Sequence, residues 1–145
     1  MEKRTLTIQY EACALEELCE QDRQLVEAAR RATYTSYAPY SHFCVGAAVR
    51  LENGEIVSGS NQENAAFSAG TCADKPICTI AIAARGTDGG FTQSPISPCG
   101  VCRQALIEAQ MRAKAPIRVL LYGQRETLVL DSISRLLPFQ FDEIV

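Results

Sequence analysis

No segment of this 145-residue sequence has the run of apolar residues that a membrane-spanning helix needs. The first residues, Met1 to Arg4, are not followed by the apolar core of a signal peptide. The net charge is −3 and no block of lysine and arginine occurs, which argues against a polynucleotide partner. Arg112, Lys114 and Arg118 are interpreted as an ordinary solvated face. We therefore expect a cytoplasmic protein that binds a small molecule, with no nucleic acid and no membrane as partner.

The cysteine count argues against a disulfide framework. Seven is an odd number and no secretory context accompanies it, so we expect reduced thiols, some of them metal ligands. The only histidine, His42, is interpreted as a loop residue and not as a ligand. Four cysteines lie on apolar stripes or strands and are interpreted as small buried hydrophobic residues: Cys13, Cys19, Cys44 and Cys78.

The hydrophobic pattern predicts a single α/β domain over residues 1–145. With 47% hydrophobic and 21% charged residues, the chain suits one modest core. Apolar residues recur at helical intervals over about 11–34, and Asn53-Gly54 is typical of a hairpin turn. Strands are predicted at 44–51, 56–60, 77–84, 117–122 and 127–130, and an amphipathic helix at 104–113. This order predicts a three-layer α/β/α domain on a mixed five-stranded sheet.

Two cysteines, Cys99 and Cys102, stand at the start of the second predicted helix. Residues three apart face the same way there, and the backbone N–H groups and the helix dipole favour thiolate, the form that binds a metal. Two sulfurs rarely complete a zinc site, so a third ligand is needed, and Cys72 is the candidate. A thioredoxin-like redox pair has the same Cys-x-x-Cys spacing and stays the alternative.

Four motifs occur in order along the chain. They are Tyr37-Ala38-Pro39-Tyr40-Ser41-x-Phe43-x-Val45-Gly46, Asn61-x-Glu63-Asn64-Ala65, Pro98-Cys99-x-x-Cys102-Arg103-Gln104 and Leu136-Leu137-Pro138-x-x-Phe141. Each motif is weak by itself, but the four together are specific and extend over most of the chain. In this pattern the chain resembles the small homotetrameric zinc-dependent cytidine deaminases. The resemblance implies their fold and the hydrolysis of cytidine and 2′-deoxycytidine to the uridine forms, with release of ammonia, in pyrimidine salvage.

The resemblance also implies a metal site. It places a zinc ion on Cys72, Cys99 and Cys102, with a water in the open fourth position. A glutamate that is not a ligand moves protons in such deaminases. Three thiolates over-neutralise the zinc ion, so its bound water is a poor acid unless positive charge acts on the sulfurs. Because Arg103 adjoins a ligand, we expect it to supply that charge.

For the substrate, the resemblance implies contacts from six residues. It places Asn61 and Glu63 on the ribose hydroxyls and Phe43 near the base. It places backbone groups of Ala66 and Cys72 at the pyrimidine edge. Phe141 would reach the site of a neighbouring subunit, which implies a composite site and an obligate homotetramer. The alternatives are that Asn61 only forms an Asx-turn, that Glu63 is a solvated charge and that Phe141 is a core residue.

The chain departs from this family after its first predicted zinc ligand. Relatives continue with Cys-Ala-Glu-Arg and a long apolar helix, whereas Cys72-Ala73 is followed by Asp74-Lys75-Pro76. Asp74 stands at the position of the proton-shuttle glutamate, one methylene shorter, and Pro76 prevents a helix from continuing. The connector lacks about three helical turns, on the order of a dozen residues.

Two explanations of this short connector stay open. Either residues are absent between Ala73 and Asp74, or the protein is truly shortened. We favour the first, because loss of a core helix would expose apolar sheet surface. Two alternatives to a cytidine deaminase also stay open. One is a deaminase of a related aminopyrimidine nucleoside. The other is a catalytically inactive nucleoside-binding or structural-zinc oligomer, which the missing glutamate favours.

Overall fold

A mixed sheet between two helices forms the framework of the chain. The computed structural model describes residues 1–62 and 76–141. The strands are β1 (Glu11–Cys13), β2 (Cys44–Leu51), β3 (Ile56–Ser60), β4 (Ile77–Arg85), β5 (Arg118–Tyr122) and β6 (Thr127–Leu130). The helices are α1 (Glu20–Ala32) and α2 (Gly100–Ala113), with short 3-10 helices at Leu15–Glu17, Thr33–Thr35 and Ile133–Leu136. Among these described elements, no helix has the length and the apolar character to cross a membrane.

The strand order is β1-β6-β5-β4-β2-β3, so the sheet has six strands and the predicted count of five is wrong. The additional strand is β1, which pairs antiparallel with β6. The helix predicted over 11–34 also begins too early, because α1 starts at Glu20 with Cys19 as its N-cap. Pairing with a strand far along the chain prevails here over the local helical pattern. The α/β class and the three layers are confirmed.

The hairpin of β2 and β3 is confirmed at the predicted positions. Gly54 has a φ of 90°, and its N–H donates to the Leu51 carbonyl at 2.9 Å. Asn53 contributes through its side chain, whose Oδ1 accepts from the Glu55 N–H at 3.0 Å. The turn therefore needs the conformational freedom of glycine at one position, with the asparagine amide stabilising the bend.

The two helices pack on opposite faces of the sheet. On one face, α1 contributes Leu25, Val26, Ala28 and Ala29, which pack against Ala48, Ala81, Ala83 and Leu120 of the strands. On the other face, Ile107 of α2 packs with Ile80, Ile82, Val119 and Leu121 and with Ile133 and Leu136 of the last 3-10 helix. A Cβ atom at Gly46 of β2 would lie 2.2 Å from the Ala29 carbonyl oxygen. Glycine is therefore required where α1 crosses β2.

Two of the four cysteines that were predicted to be buried are exposed, and that prediction is wrong for them. Cys19 is exposed because it precedes the first turn of α1 as its N-cap. Cys78 is exposed because the register of β2 and β4 shifts between Arg50 and Leu51, which leaves Cys78 as the extra residue of a β-bulge. The other two, Cys13 and Cys44, are half-buried.

A buried carboxylate joins α1 to two strands. Asp22, in the first turn of α1, is only 3% exposed. Arg118 of β5 donates from Nη1 to Asp22 Oδ2 at 2.6 Å, and Nη1 of Arg50 in β2 lies 3.7 Å from Oδ1. The interpretation of Arg118 as part of a solvated face is therefore wrong. Its guanidinium compensates a charge that would be costly to bury alone.

One edge of the sheet brings together the ends of several strands. β4 and β5 are parallel, and β2 is antiparallel to both β3 and β4. Cys44, the first residue of β2, therefore pairs with Arg85, the last residue of β4. The loop 86–99 leads from this edge into α2, which returns to the start of β5. Ligands of α/β proteins usually bind at the carboxyl ends of parallel strands, and α2 begins at this edge.

Candidate functional site

A pair of cysteines marks the N-terminus of α2. Cys99 is the N-cap residue, and Cys102 lies in the first turn. Their Sγ atoms are 3.5 Å apart, and both residues are exposed. The predicted arrangement, with both sulfurs facing the same way at a helix start, is thus present.

The surroundings of the two thiols favour one negative charge on the pair. Hydrogen bonds from the backbone N–H of Cys102 and from its side chain lower the pKa of Cys99 below the ordinary value. Burial raises the pKa of Cys102, and the hydrogen bond with Cys99 and the charge of Cys99 raise it further. A second thiolate is therefore unfavourable unless a cation binds between the sulfurs.

The geometry of the pair fits a zinc ion. Zinc binds thiolates at about 2.3 Å, so two sulfurs at corners of a tetrahedron are about 3.8 Å apart. The observed separation of 3.5 Å needs only a small adjustment of side-chain angles to reach that value. Within residues 1–62 and 76–141, no cluster of three histidine, cysteine or acidic residues could hold a metal. The described residues therefore contribute two ligands to the predicted site.

The other predicted site residues between the hairpin and β4 lie outside the described residues. They are the third ligand Cys72, the ribose contact Glu63, the base contact Ala66 and the shuttle candidate Asp74, together with the Ala73–Asp74 junction.

Asn61 follows β3 and connects three segments of the chain through its amide. Its Oδ1 accepts from the Val45 N–H at 2.8 Å and from the Ser36 hydroxyl. Its Nδ2 donates to the Phe43 carbonyl at 2.9 Å. An amide nitrogen carries two N–H groups, and the bond to Phe43 uses one of them. Asn61 can therefore fix the strand ends and bind a hydroxyl at the same time.

Phe43 is the half-buried residue immediately before β2. Its N–H donates to Ser41 Oγ at 3.1 Å, and its carbonyl accepts from Asn61. His42, directly before it, is exposed in the loop and has a φ of 57°. Asn61 and Phe43 thus form one hydrogen-bonded unit at the sheet edge where α2 begins.

Arg103, next to Cys102, binds three groups outside its own helix turn. Nε donates to the Pro98 carbonyl at 2.8 Å, Nη2 to Ser97 Oγ at 2.8 Å and Nη1 to the Leu136 carbonyl at 2.6 Å. These contacts join the loop before Cys99 to the last 3-10 helix. That Arg103 also supplies positive charge to the sulfurs of Cys99 and Cys102 stays a prediction.

The C-terminal segment contacts α2 near its N-terminal end. Gln104 Nε2 donates to the Phe141 carbonyl at 2.8 Å. The Phe141 side chain is 66% exposed, so the alternative that it is a core residue is wrong within the single chain. Phe139 is 91% exposed in the same segment. The segment thus presents two aromatic side chains to the surroundings of the chain.

Three residues have supporting roles that were not predicted from the sequence. Ser36 binds Asn61, Ser97 binds Arg103 and Gln104 binds the carbonyl of Phe141. Gln104 belongs to the third motif, which could have marked it as part of the site. Ser36 and Ser97 are polar residues without periodicity or diagnostic spacing, and only their partners across the fold reveal their roles.

Comparison with known proteins places these features in a wider context. The family model described as "Cytidine and deoxycytidylate deaminase zinc-binding region" matches residues 19–115. This range includes α1, the hairpin, β4 and all of α2, and thus contains Asn61 and both cysteines of the pair.

Individual proteins show the same similarity. A cytidine deaminase from Sporosarcina psychrophila is 32% identical over 130 residues, which cover 83% of this chain and 90% of the relative. One from Halalkalibacterium halodurans is 32% identical over 133 residues, covering 83% and 94%. The crystal structure of cytidine deaminase from Burkholderia pseudomallei superposes with a TM-score of 0.66 at 35% identity, covering 81% of this chain and 97% of that one. For the Mycobacterium tuberculosis enzyme the TM-score is 0.56 at 27% identity, covering 82% and 95%.

Proposed function

This chain belongs to the cytidine and deoxycytidylate deaminase family, and on this premise we propose that it is a zinc-dependent hydrolase acting on cytidine and 2′-deoxycytidine. Water adds to the amino-bearing carbon of the base, and ammonia leaves, which gives the uridine forms. The observation that carries the proposal is the pair of exposed sulfurs, 3.5 Å apart, at the N-terminus of α2. We further propose that the enzyme acts in pyrimidine salvage in the cytoplasm.

Cys99 and Cys102 would hold the zinc ion, with Cys72 as the third ligand. A bound zinc supplies an activated water at its open position. The contribution of the chain is to hold the two thiols close together and to favour the thiolate form. The lowered pKa of Cys99 makes this residue the first thiolate, and the helix N-terminus stabilises the negative charge.

The nucleoside would lie between the cysteine pair and the Asn61–Phe43 unit. In this proposal Asn61 binds a ribose hydroxyl with its remaining amide proton, and Glu63 accepts from the other hydroxyl. Phe43 packs near the base, and backbone groups of Ala66 meet the pyrimidine edge. The support is the position of Phe43 and Asn61 at the edge where α2 begins, held by bonds of 2.8 and 2.9 Å.

A proton must move from the attacking water to the leaving amino group. In a truly shortened chain, Asp74 is the candidate for this transfer, because it follows Cys72-Ala73 where the family has its glutamate. A carboxylate can do the same chemistry, but its reach is one methylene shorter. We therefore propose Asp74 as the proton shuttle of the 145-residue chain.

We also propose a homotetramer in which Phe141 completes the site of a neighbouring subunit. The support is the exposure of the tail aromatics, 66% for Phe141 and 91% for Phe139 in the single chain. Exposed aromatic side chains of this size are typical of surfaces that become buried in an interface.

The decisive experiment measures zinc content and turnover on the same purified protein. Turnover is followed by the fall in absorbance as cytidine is deaminated, with other aminopyrimidine nucleosides assayed in parallel. Zinc together with cytidine turnover supports the proposal, and the variant Asp74→Asn should then keep zinc and lose turnover. Zinc without turnover of any nucleoside would identify an inactive binding or structural-zinc protein. Absence of zinc from active protein would contradict the proposed ligands.

A further inference from the structure

Arg103 contacts both peptide groups that flank the metal-ligand candidate Cys99. Its side-chain Nε donates to the Pro98 carbonyl, which belongs to the peptide group before Cys99, at 2.8 Å. Its backbone N–H donates to the Cys99 carbonyl, which belongs to the peptide group after it, at 2.9 Å. The orientation of these two planes sets φ and ψ of Cys99. The second bond is a regular backbone bond of α2 that does not depend on the side chain. The bond to Pro98 depends on the guanidinium, so the arginine side chain helps to set φ of Cys99 and the direction of its Cα–Cβ bond.

The other contacts of the guanidinium are to firmly held parts of the chain. Nη1 donates to the carbonyl of Leu136 at 2.6 Å, and Leu136 is 9% exposed in a 3-10 helix whose Ile133 is fully buried. Gln110 of α2 accepts from the Ile133 N–H at 3.2 Å and donates to Ser134 Oγ at 3.0 Å, which fixes this short helix to α2. The guanidinium therefore bridges the loop before Cys99 and a rigid support.

We propose that Arg103 is a positioning residue, which holds the Cys99 sulfur at the place where it binds zinc by joining the Ser97–Pro98 segment to the Leu136 carbonyl. The proposal rests on the zinc site of the proposed function. It differs from the supply of positive charge to the sulfurs, because it depends on the planar fork of the guanidinium and not on its charge alone. With φ and ψ fixed, the sulfur has only the staggered χ1 positions left.

Arginine and lysine make different predictions for these two roles. A lysine keeps the positive charge, but its single ammonium group cannot reach three acceptors arranged around a planar fork. If Arg103 acts by charge, the variant Arg103→Lys should bind metal like the wild type. If it acts by position, Arg103→Lys and the neutral Arg103→Gln should lose affinity together.

The test measures zinc affinity of the full chain by competition with a chelator. We expect about 10- to 100-fold weaker binding in both Arg103→Lys and Arg103→Gln, the range for losing an outer partner of a metal ligand. Ser97→Ala removes one arm of the bridge and should weaken binding about two- to tenfold. With Co²⁺ in place of zinc, the thiolate-to-cobalt absorption band should weaken in the Arg103 variants. Arg112→Gln, an exposed arginine of the same helix, is the matched control and should leave both readouts unchanged.

The outcomes separate this inference from the proposed function. Tight zinc binding by Arg103→Lys, or by both Arg103 variants, would overturn the positioning role while the zinc site stands. A wild-type protein that binds no zinc would overturn both. Thermal unfolding in chelator reports whether an Arg103 variant folds without metal. If neither variant folds, Ser97→Ala decides, and wild-type affinity in that variant would overturn the proposal.

Discussion

At the scale of single residues, Cys19 and Cys99 occupy equivalent places in the fold. Each is the N-cap residue of a helix. Serine is a better N-cap than most residues, so Cys→Ser should leave the metal-free protein as stable as before at both positions, or more stable. We predict that Cys99→Ser abolishes zinc retention and that Cys19→Ser does not, because only Cys99 lies beside a second thiol.

The measurement is the zinc content after gel filtration, with unfolding of the metal-free forms as a check on the fold. Equal zinc content in Cys99→Ser and the wild type would mean that the ligands are wrongly assigned. Because the two substitutions are chemically identical and sit at the same helix position, a difference between them cannot come from the capping itself.

Asn61 offers a second test at this scale. In Asn61→Asp the carboxylate can still accept from the Val45 N–H, but it faces the Phe43 carbonyl with an oxygen where an N–H donated at 2.9 Å. We expect a loss of about 1–3 kcal/mol in the free energy of unfolding at pH 7, the cost of an unsatisfied acceptor. The loss should shrink as the pH falls and the carboxyl gains a proton that it can donate.

Urea unfolding at neutral and acidic pH checks this prediction. Asn53→Asp is the matched control, because Asn53 only accepts, from the Glu55 N–H at 3.0 Å, and a carboxylate does the same. An equal loss in the two variants would show that the bond from Asn61 to Phe43 does not stabilise the loop.

For single residues, the sequence predicted features that depend on local spacing but not those that depend on contacts across the fold. Cys99 and Cys102 could be predicted because a spacing of three at a helix start places both side chains on one side. The exposure of Cys78 could not, because it depends on a register shift between β2 and β4 that no local pattern encodes. For the same reason the three bonds of Arg103 and the serine that holds Asn61 became visible only in the fold.

At the scale of elements, the close contact of α1 with β2 requires a residue without a side chain at position 46, which is Gly46. In Gly46→Ala the new Cβ would lie 2.2 Å from the Ala29 carbonyl oxygen and 2.7 Å from the Thr33 nitrogen. Both atoms belong to the backbone and cannot rotate away, so α1 must shift. We predict a loss of at least about 1–3 kcal/mol in the free energy of unfolding, the usual cost of overpacking.

The control for this substitution is Gly59→Ala in the neighbouring strand. A Cβ at Gly59 meets no atom of the described residues within 4 Å. Strands prefer alanine to glycine, so stability should stay equal or rise slightly. Chemical denaturation of both variants measures the difference. Similar stability of the two would mean that α1 lies farther from β2 in solution.

The elements themselves were predictable to different degrees. The hairpin follows from a local turn signal, and its strand bounds match the prediction. The first helix was drawn too long because Leu15 and Leu18 continue a helical spacing, although Leu15 lies in a 3-10 helix before α1. β1 escaped prediction because its pairing with β6 is a contact between distant parts of the chain.

At the scale of the whole molecule, Asp22 links one helical layer to the sheet through two arginines. Asp22→Asn removes the charge that Arg118 and Arg50 compensate, at 2.6 and 3.7 Å in the native chain. Breaking a buried pair costs about 3–5 kcal/mol, and since the Arg118 side chain is 39% exposed we expect a smaller loss, about 1–3 kcal/mol.

The matched control is Asp131→Asn, which removes the carboxylate of an ion pair with Arg135. The hydrogen bond from Arg135 lowers the pKa of Asp131, but its side chain is 72% exposed, so solvent screens the pair and little change in stability is expected. Thermal unfolding of the two variants checks the contrast. If Asp22→Asn is no less stable than Asp131→Asn, the buried network does not hold the layers together.

The composite site proposed for the tetramer makes a prediction about mixtures of inactive chains. Phe141→Ala should lose most of its turnover, because the neighbouring site then lacks its aromatic wall, and Cys99→Ser should lose all of it with its zinc. If the tail serves a neighbour, refolding equal amounts of the two variants together should restore about a quarter of wild-type activity. Half of the sites then have intact cysteines, and half of those receive an intact tail.

A mixture that stays inactive would mean that each tail serves its own chain, a result that the bond from Gln104 to the Phe141 carbonyl would explain. Full activity of Phe141→Ala alone would show that the Phe141 side chain is not part of any active site. Sedimentation of the mixture shows whether subunits exchange, and a mixture of wild type with Cys99→Ser gives the activity expected when all tails are intact. Because the two variants carry their defects at different places, recovered turnover can come only from sites assembled from two chains.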